Sequence, residues 1–140
     1  MEFVREYALS WLGVPYIFGG NSRDGIDCSG YAQAVLRCAG IDPPGDQTAQ
    51  SLFDHFSQKG GWNRYSIGAL AFYGKDAARI THVGVILDQY QMIEAGGGDS
   101  TTTTVDEARR RGAEVRISLI KARPDLHAVI RPSYALIGYP

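Results

Sequence analysis

The 140-residue chain is long enough for one domain with a self-sufficient core, so neither a disulfide framework nor a structural metal is needed for folding. Its 44% hydrophobic and 21% charged residues are ordinary for a globular protein, and a formal net charge of -1 argues against a nucleic-acid binder, which would show a basic face. No apolar run approaches the roughly 18 residues of a membrane span.

Phe3, Val4, Tyr7, Ala8, Trp11 and Leu12 recur at intervals of three and four, which predicts an amphipathic first helix ended by Gly13 and Pro15. Charges at Glu2, Arg5 and Glu6 fall where a secretory leader would be apolar, so no signal peptide is expected. An aromatic turn, Tyr16-Ile17-Phe18-Gly19-Gly20, leads into a polar, glycine-punctuated loop from Asn21 to Asp27. A second helix is expected from about Ser29 to Ala39, stopped by Gly40. A third runs from Thr48 to Phe56, before Gly60-Gly61.

The pattern then changes to strands. Ala69–Tyr73, Thr81–Leu87 and Gln91–Ala95 are predicted, the last two joined as a hairpin across Asp88-Gln89-Tyr90. Gly96-Gly97-Gly98 lacks the residues of a phosphate loop and is expected to form a mobile flap. Thr104 is placed to cap a short helix with acids in its first turn, Arg109 to Arg111 in its last, and Gly112 closing it. Glu114–Ile120 and Ala128–Arg131 complete the strands. Helices first and strands second predict an α+β fold, with N-terminal helices on an antiparallel sheet, as a single domain over 1–140.

Gly25-Ile26-Asp27-Cys28-Ser29-Gly30 carries the chemistry. A cysteine in a small polar turn directly before a helix meets unpaired backbone N–H groups and the positive end of the helix dipole, which favour a thiolate. The second cysteine, Cys38, is expected one helix length away, about 15 Å, beyond the roughly 7 Å a disulfide spans. It reads as a structural thiol.

A thiolate that attacks an amide needs an imidazole to move protons and a third group to orient the ring. His82 begins a strand, and Glu94 lies on its hairpin partner, where the two side chains can share a face. His55 and His127 read as bystanders. No set of His, Cys and acidic residues has metal-ligand spacing, and no cofactor is expected.

Four motifs in register resemble the NlpC/P60 cysteine peptidases: Gly13-Val14-Pro15-Tyr16-Ile17-Phe18-Gly19-Gly20, Asp27-Cys28-Ser29-Gly30, His82-Val83-Gly84-Val85 and Met92-Ile93-Glu94-Ala95. The resemblance implies a papain-like core with about five or six strands and cleavage of bacterial cell-wall stem peptides, often between γ-D-glutamyl and a diamino acid. It makes Cys28 the nucleophile, His82 the general base and Tyr16 an oxyanion donor, with Asp27 and Ser29 shaping the substrate cleft. Glu94 falls on the third polar position, which in the family is commonly His and sometimes Asn or Gln. Phe18 stands where Trp is frequent, and Gly68-Ala69-Leu70 lacks the usual Asp of that turn.

The partner implied is a peptidoglycan stem peptide. With no leader visible, the chain is expected to be cytoplasmic at synthesis and to act in the cell that makes it, to be exported by a route the sequence does not show, or to be one domain of a longer chain; a phage lysis or tail-associated enzyme is consistent with this. An amidase or acyltransferase on the same Cys–His machinery, and a catalytically idle wall-binding domain, are the competing expectations.

Overall fold

A computed structural model describes residues 1–139. Helix α1 (Glu2–Leu9) precedes a short hairpin of β1 (Asn21–Ser22) and β2 (Gly25–Ile26), then α2 (Cys28–Cys38) and α3 (Ala49–Phe56). The strands β3 (Gly61–Trp62), β4 (Leu70–Gly74), β5 (Ile80–Ile86) and β6 (Gln91–Gly96) follow. Helix α4 (Val105–Arg111) separates β6 from β7 (Glu114–Leu119), and β8 (Leu126–Arg131) is the last strand. Strands β3 to β8 form a six-stranded sheet in the order β3-β8-β4-β5-β6-β7, antiparallel at every pairing.

The expected elements are present, with local shifts. Helix α1 ends at Leu9 rather than running to Leu12, because the Ser10 hydroxyl donates to the Tyr7 carbonyl oxygen and the chain leaves the helix through a turn. Trp11 is nonetheless buried, edge-on to Tyr31. Thr48 caps α3 and exchanges hydrogen bonds with Ser51. Thr104 caps α4, and Gly112 ends it in the left-handed region at φ 65. The loop expected from Asn21 to Asp27 contains the β1–β2 hairpin, whose Arg23 guanidinium lies 3.9 Å over the Trp11 ring and holds the hairpin to the turn after α1.

The sheet is buried on both faces. Leu70, Phe72, Val83, Val85, Ile93 and Val115 pack with Tyr31, Val35 and Leu36 of α2 and Leu52 and Phe53 of α3. Ala71, Tyr73, Ile86, Met92 and Val129 form a smaller core on the other face, closed by Ile120 in the 3₁₀ turn Ile120–Ala122. Double-sided burial explains why β4 and β5 read as nearly continuous apolar runs. The free edge of β7 is covered by the segment before β1, through Gly13 N–H to Val115 O at 2.9 Å and Val115 N–H to Val14 O at 2.9 Å.

Candidate active site

Asp27 builds the start of α2. Its backbone is extended, and its Oδ1 accepts from the Gly30 N–H at 2.7 Å and from the Ser29 hydroxyl at 3.3 Å. Its Oδ2 accepts from the Gly19 N–H at 3.1 Å. Both carboxylate oxygens are thus engaged in joining the aromatic turn to the helix. Cys28 is the first helical residue, half-buried, in the field of the unpaired amides. Gly30 permits the close approach, since a Cβ there would lie 2.6 Å from the Gly20 carbonyl oxygen.

Tyr16 is held by its N–H to the Ala113 carbonyl oxygen at 3.0 Å. Its buried ring lies flat against Gly98, where a Cβ would come within 2.3 Å of it. Burial first, then the negative charges of Cys28, Asp27 and Asp99, push the phenol well above its ordinary pKa. The hydroxyl therefore keeps its proton and remains a donor. The glycine loop expected to be a mobile flap is tied at several points. The Phe18 N–H donates to the Thr102 carbonyl oxygen at 2.8 Å, and the Arg111 guanidinium donates to Asp99 at 2.9 Å.

Strands β5 and β6 pair at Val85–Ile93 and Ile86–Met92. His82 and Glu94 lie beyond those pairs, on the face shared with Met92 and Tyr73. Gly84 stands between them, and a Cβ there would be 2.6 Å from the Met92 sulfur. His82 is 7% exposed and Glu94 4%, with His82 Nε2 2.6 Å from Glu94 Oε1. Cys28 lies near enough to the ring to favour its charged form. With Nε2 held by Glu94, Nδ1 is the ring nitrogen left to exchange a proton. Tyr73 backs the ring at 5.6 Å between centroids, its own hydroxyl donating to the Ile120 carbonyl oxygen at 2.6 Å.

Burial alone would lower the pKa of His82, but hydrogen bonds and charges from Cys28 and Glu94 outweigh it and hold the ring up to about 9. Burial likewise opposes ionisation of Glu94, yet His82, Ser118 and Arg116 bring its carboxyl down to about 2. Each partner thus favours the charged form of the other, the imidazolium beside the carboxylate.

Cys28, His82 and Glu94 thus converge, with Tyr16 beside the sulfur. Asp27 caps α2, and Ser29, the residue after Cys28, donates to it in the first turn. His55 packs on Phe56 and His127 on Phe53, both on α3. Cys38 is half-buried at the far end of α2 and is a free thiol, as is Cys28. Three neighbours were not legible in the sequence: Tyr73, Arg116 and Ser118. Arg116 is in register with Glu94 across β6 and β7, its Nε 3.5 Å from Glu94 Oε2. Because β6 and β7 are joined through α4 rather than a tight turn, no hairpin rule revealed that register. A cavity of about 270 Å³ lined by His82, Glu94, Gly97, Arg116, Ser118 and Arg123 opens beside the pair. A larger apolar cavity between Tyr65, Tyr90 and Leu119 contains none of the reactive groups. Among the described residues no cluster of His, Cys and acidic side chains is arranged to hold a metal ion.

Residues 13–117 match the sequence profile of the NlpC/P60 family. The chain belongs to that family of cysteine endopeptidases and peptidoglycan hydrolases, which also contains RipD of Mycobacterium tuberculosis, a non-catalytic NlpC/P60 domain protein adapted to peptidoglycan binding. It is 35% identical over 97 residues to the bifunctional muramidase/DL-endopeptidase CwlT of Bacillus subtilis, an alignment spanning 67% of this chain and 29% of that protein. It is 31% identical over 87 residues to a γ-D-glutamyl-L-lysine dipeptidyl-peptidase of Bacillus cereus, spanning 61% of this chain and 25% of the other. The NlpC/P60 fold is equally plain in the peptidoglycan hydrolase RipB of Mycobacterium tuberculosis. There the TM-score is 0.67 at 25% identity, over 93% of this chain and 63% of that one. The alignments to the two Bacillus proteins cover no more than about a third of either protein's length.

Proposed function

We propose that this NlpC/P60 chain hydrolyses an amide bond in peptidoglycan stem peptides, between γ-D-glutamyl and a diamino acid. Cys28 is the nucleophile, His82 the proton carrier and Glu94 the residue that orients the ring. The observation that carries this reading is the buried His82–Glu94 pair at 2.6 Å, close to the cysteine that opens α2. The B. cereus relative, a γ-D-glutamyl-L-lysine dipeptidyl-peptidase by name, supports the choice of bond.

In this mechanism the Cys28 thiolate attacks the scissile carbonyl carbon. The Cys28 backbone N–H and the Tyr16 hydroxyl receive the developing oxyanion, a contribution of about 3–4 kcal/mol per donor in other enzymes. His82 gives its Nδ1 proton to the leaving amine, the C–N bond breaks, and a thioester remains. Water then attacks the thioester while His82 takes its proton, and Cys28 leaves as thiolate. Asp27 and Ser29 shape the cleft by fixing the Gly19–Gly20 turn against the helix start.

The test is Cys28→Ala on defined muropeptides, with products read by mass spectrometry. Loss of all turnover with an unchanged melting temperature is expected. Residual hydrolysis would refute the assignment of the nucleophile. An added amine in the product, in place of water, would make the chain a transferase.

A further inference from the structure

Glu94 has two carboxylate oxygens, and the imidazole uses one. Oε2 faces Arg116, whose Nε lies 3.5 Å away. That Nε is buried and has no hydrogen-bond partner among the described residues, which leaves the carboxylate as the charge it faces. Ser118, two residues on along β7, lies on the same side and also favours the ionised carboxylate. The backbone is shaped around the guanidinium. A Cβ at Gly96 would lie 3.0 Å from Arg116 Nη2 and 3.0 Å from Glu94 Oε1. A Cβ at Gly97 would lie 3.1 Å from Arg116 Nη1, and Gly97 also takes φ +84. The two glycines leave a slot into which a flat fork fits.

We propose that Arg116 is a positioning residue, which keeps Glu94 ionised and in place while His82 passes between its charged and neutral forms. This rests on the reading of Cys28, His82 and Glu94 given above. While the ring is imidazolium, Glu94 has a cation on Oε1. Once His82 has passed its proton to the leaving amine and the C–N bond has broken, the carboxylate faces a neutral ring. A buried carboxylate with no counter-charge takes up a proton or turns away. Arg116 cannot lose its charge and so holds Glu94 through the thioester stage. When water attacks, the ring is already aligned to accept the proton, and Glu94 is already anionic to stabilise the imidazolium that forms. The carboxylate itself neither gains nor loses a proton.

The test is a double-mutant cycle of R116Q and E94Q on defined muropeptides, with kcat, KM and the pH profile of each. R116Q should lower kcat about fivefold or more with KM nearly unchanged, and should lower it little further in the E94Q background. R116K should recover part of the loss. A role in stability alone would reduce the melting temperature, leave kcat of the folded fraction intact and add to the effect of E94Q. R116Q turning over at the wild-type rate, or with a loss fully additive to that of E94Q, would overturn the proposal. If R116Q does not fold, R116M keeps the stem without the charge and enters the same cycle. C28A with residual turnover would sink the catalytic reading itself. An inactive C28A beside a fully active R116Q would sink only the role of Arg116.

Discussion

Replacing Glu94 by Gln removes one negative charge from a buried imidazole while nearly preserving volume and one acceptor oxygen. The lift of His82 from 6.5 to about 9 corresponds to about 3 kcal/mol in favour of the imidazolium. Burial acts against that lift, so the two partners together supply more than the net. Cys28 and Glu94 both contribute through a hydrogen bond and through charge. Gln keeps the first contribution and loses the second. The ring should therefore deprotonate earlier by about 1 pH unit or more, on the order of 1.4 kcal/mol. The direction follows from the charge: an anion favours the imidazolium, so its removal favours the neutral ring. Other charges near the ring, Asp125 and Arg116, stay in place in this variant.

Two measurements read this. In kcat/KM against pH, the basic limb of E94Q should fall at a lower pH than that of the wild type. In a C28A background, ¹⁵N NMR of the imidazole reports the same displacement without turnover, and there the lift from Cys28 is absent from both variants. A basic limb unmoved by E94Q, together with an unmoved ring titration, would mean that Glu94 does not orient or charge the ring.

Further outcomes follow from the same geometry. Tyr16→Phe removes a hydroxyl that stays protonated beside the sulfur, and should lower kcat about 10²-fold with little change in melting temperature. Asp27→Ala removes the cap of α2 and the tie to Gly19, and should cost about 1 kcal/mol or more in denaturant unfolding, with Asp27→Asn costing less. The His82–Glu94 pair also makes stability depend on pH. The raised His82 contributes fully below 6.5 and is lost as pH rises through about 9, while the depressed Glu94 contributes fully above 4.5 and is lost as pH falls through about 2. The melting-temperature difference between wild type and E94Q should be largest between those limits and shrink on both sides.

Much of this arrangement is readable in the sequence because it is local. Asp27, Cys28 and Gly30 are neighbours, and a cap, a first helical residue and a close-approach glycine are one-turn features. His82 and Glu94 belong to one hairpin, so alternation alone puts them on a common face. The β1–β2 hairpin was hidden because each strand has two residues, too few to show a period. The end of α1 is not legible, because Trp11 and Leu12 continue the apolar spacing while the Ser10 hydroxyl bonds back to Tyr7 and the chain turns. The glycine run looked slack because its constraints are tertiary. Gly98 faces the Tyr16 ring and Gly97 faces the Arg116 guanidinium, contacts more than eighteen residues apart in sequence.

The third catalytic position links these observations. The resemblance to NlpC/P60 peptidases leads one to expect a neutral or basic group there, His, Asn or Gln, which can be buried beside the ring without a counter-ion. A carboxylate in the same place is costly to bury and must be compensated on the side away from the imidazole. Arg116, Ser118 and the slot at Gly96 and Gly97 are that compensation. The four residues form one unit with Glu94, so exchanging the acid alone for His would leave a guanidinium facing an imidazole. On this reasoning Glu94→His should be more damaging in the wild-type background than beside R116Q, where the opposing cation is gone. Equal damage in both backgrounds would show that the two strands are energetically independent.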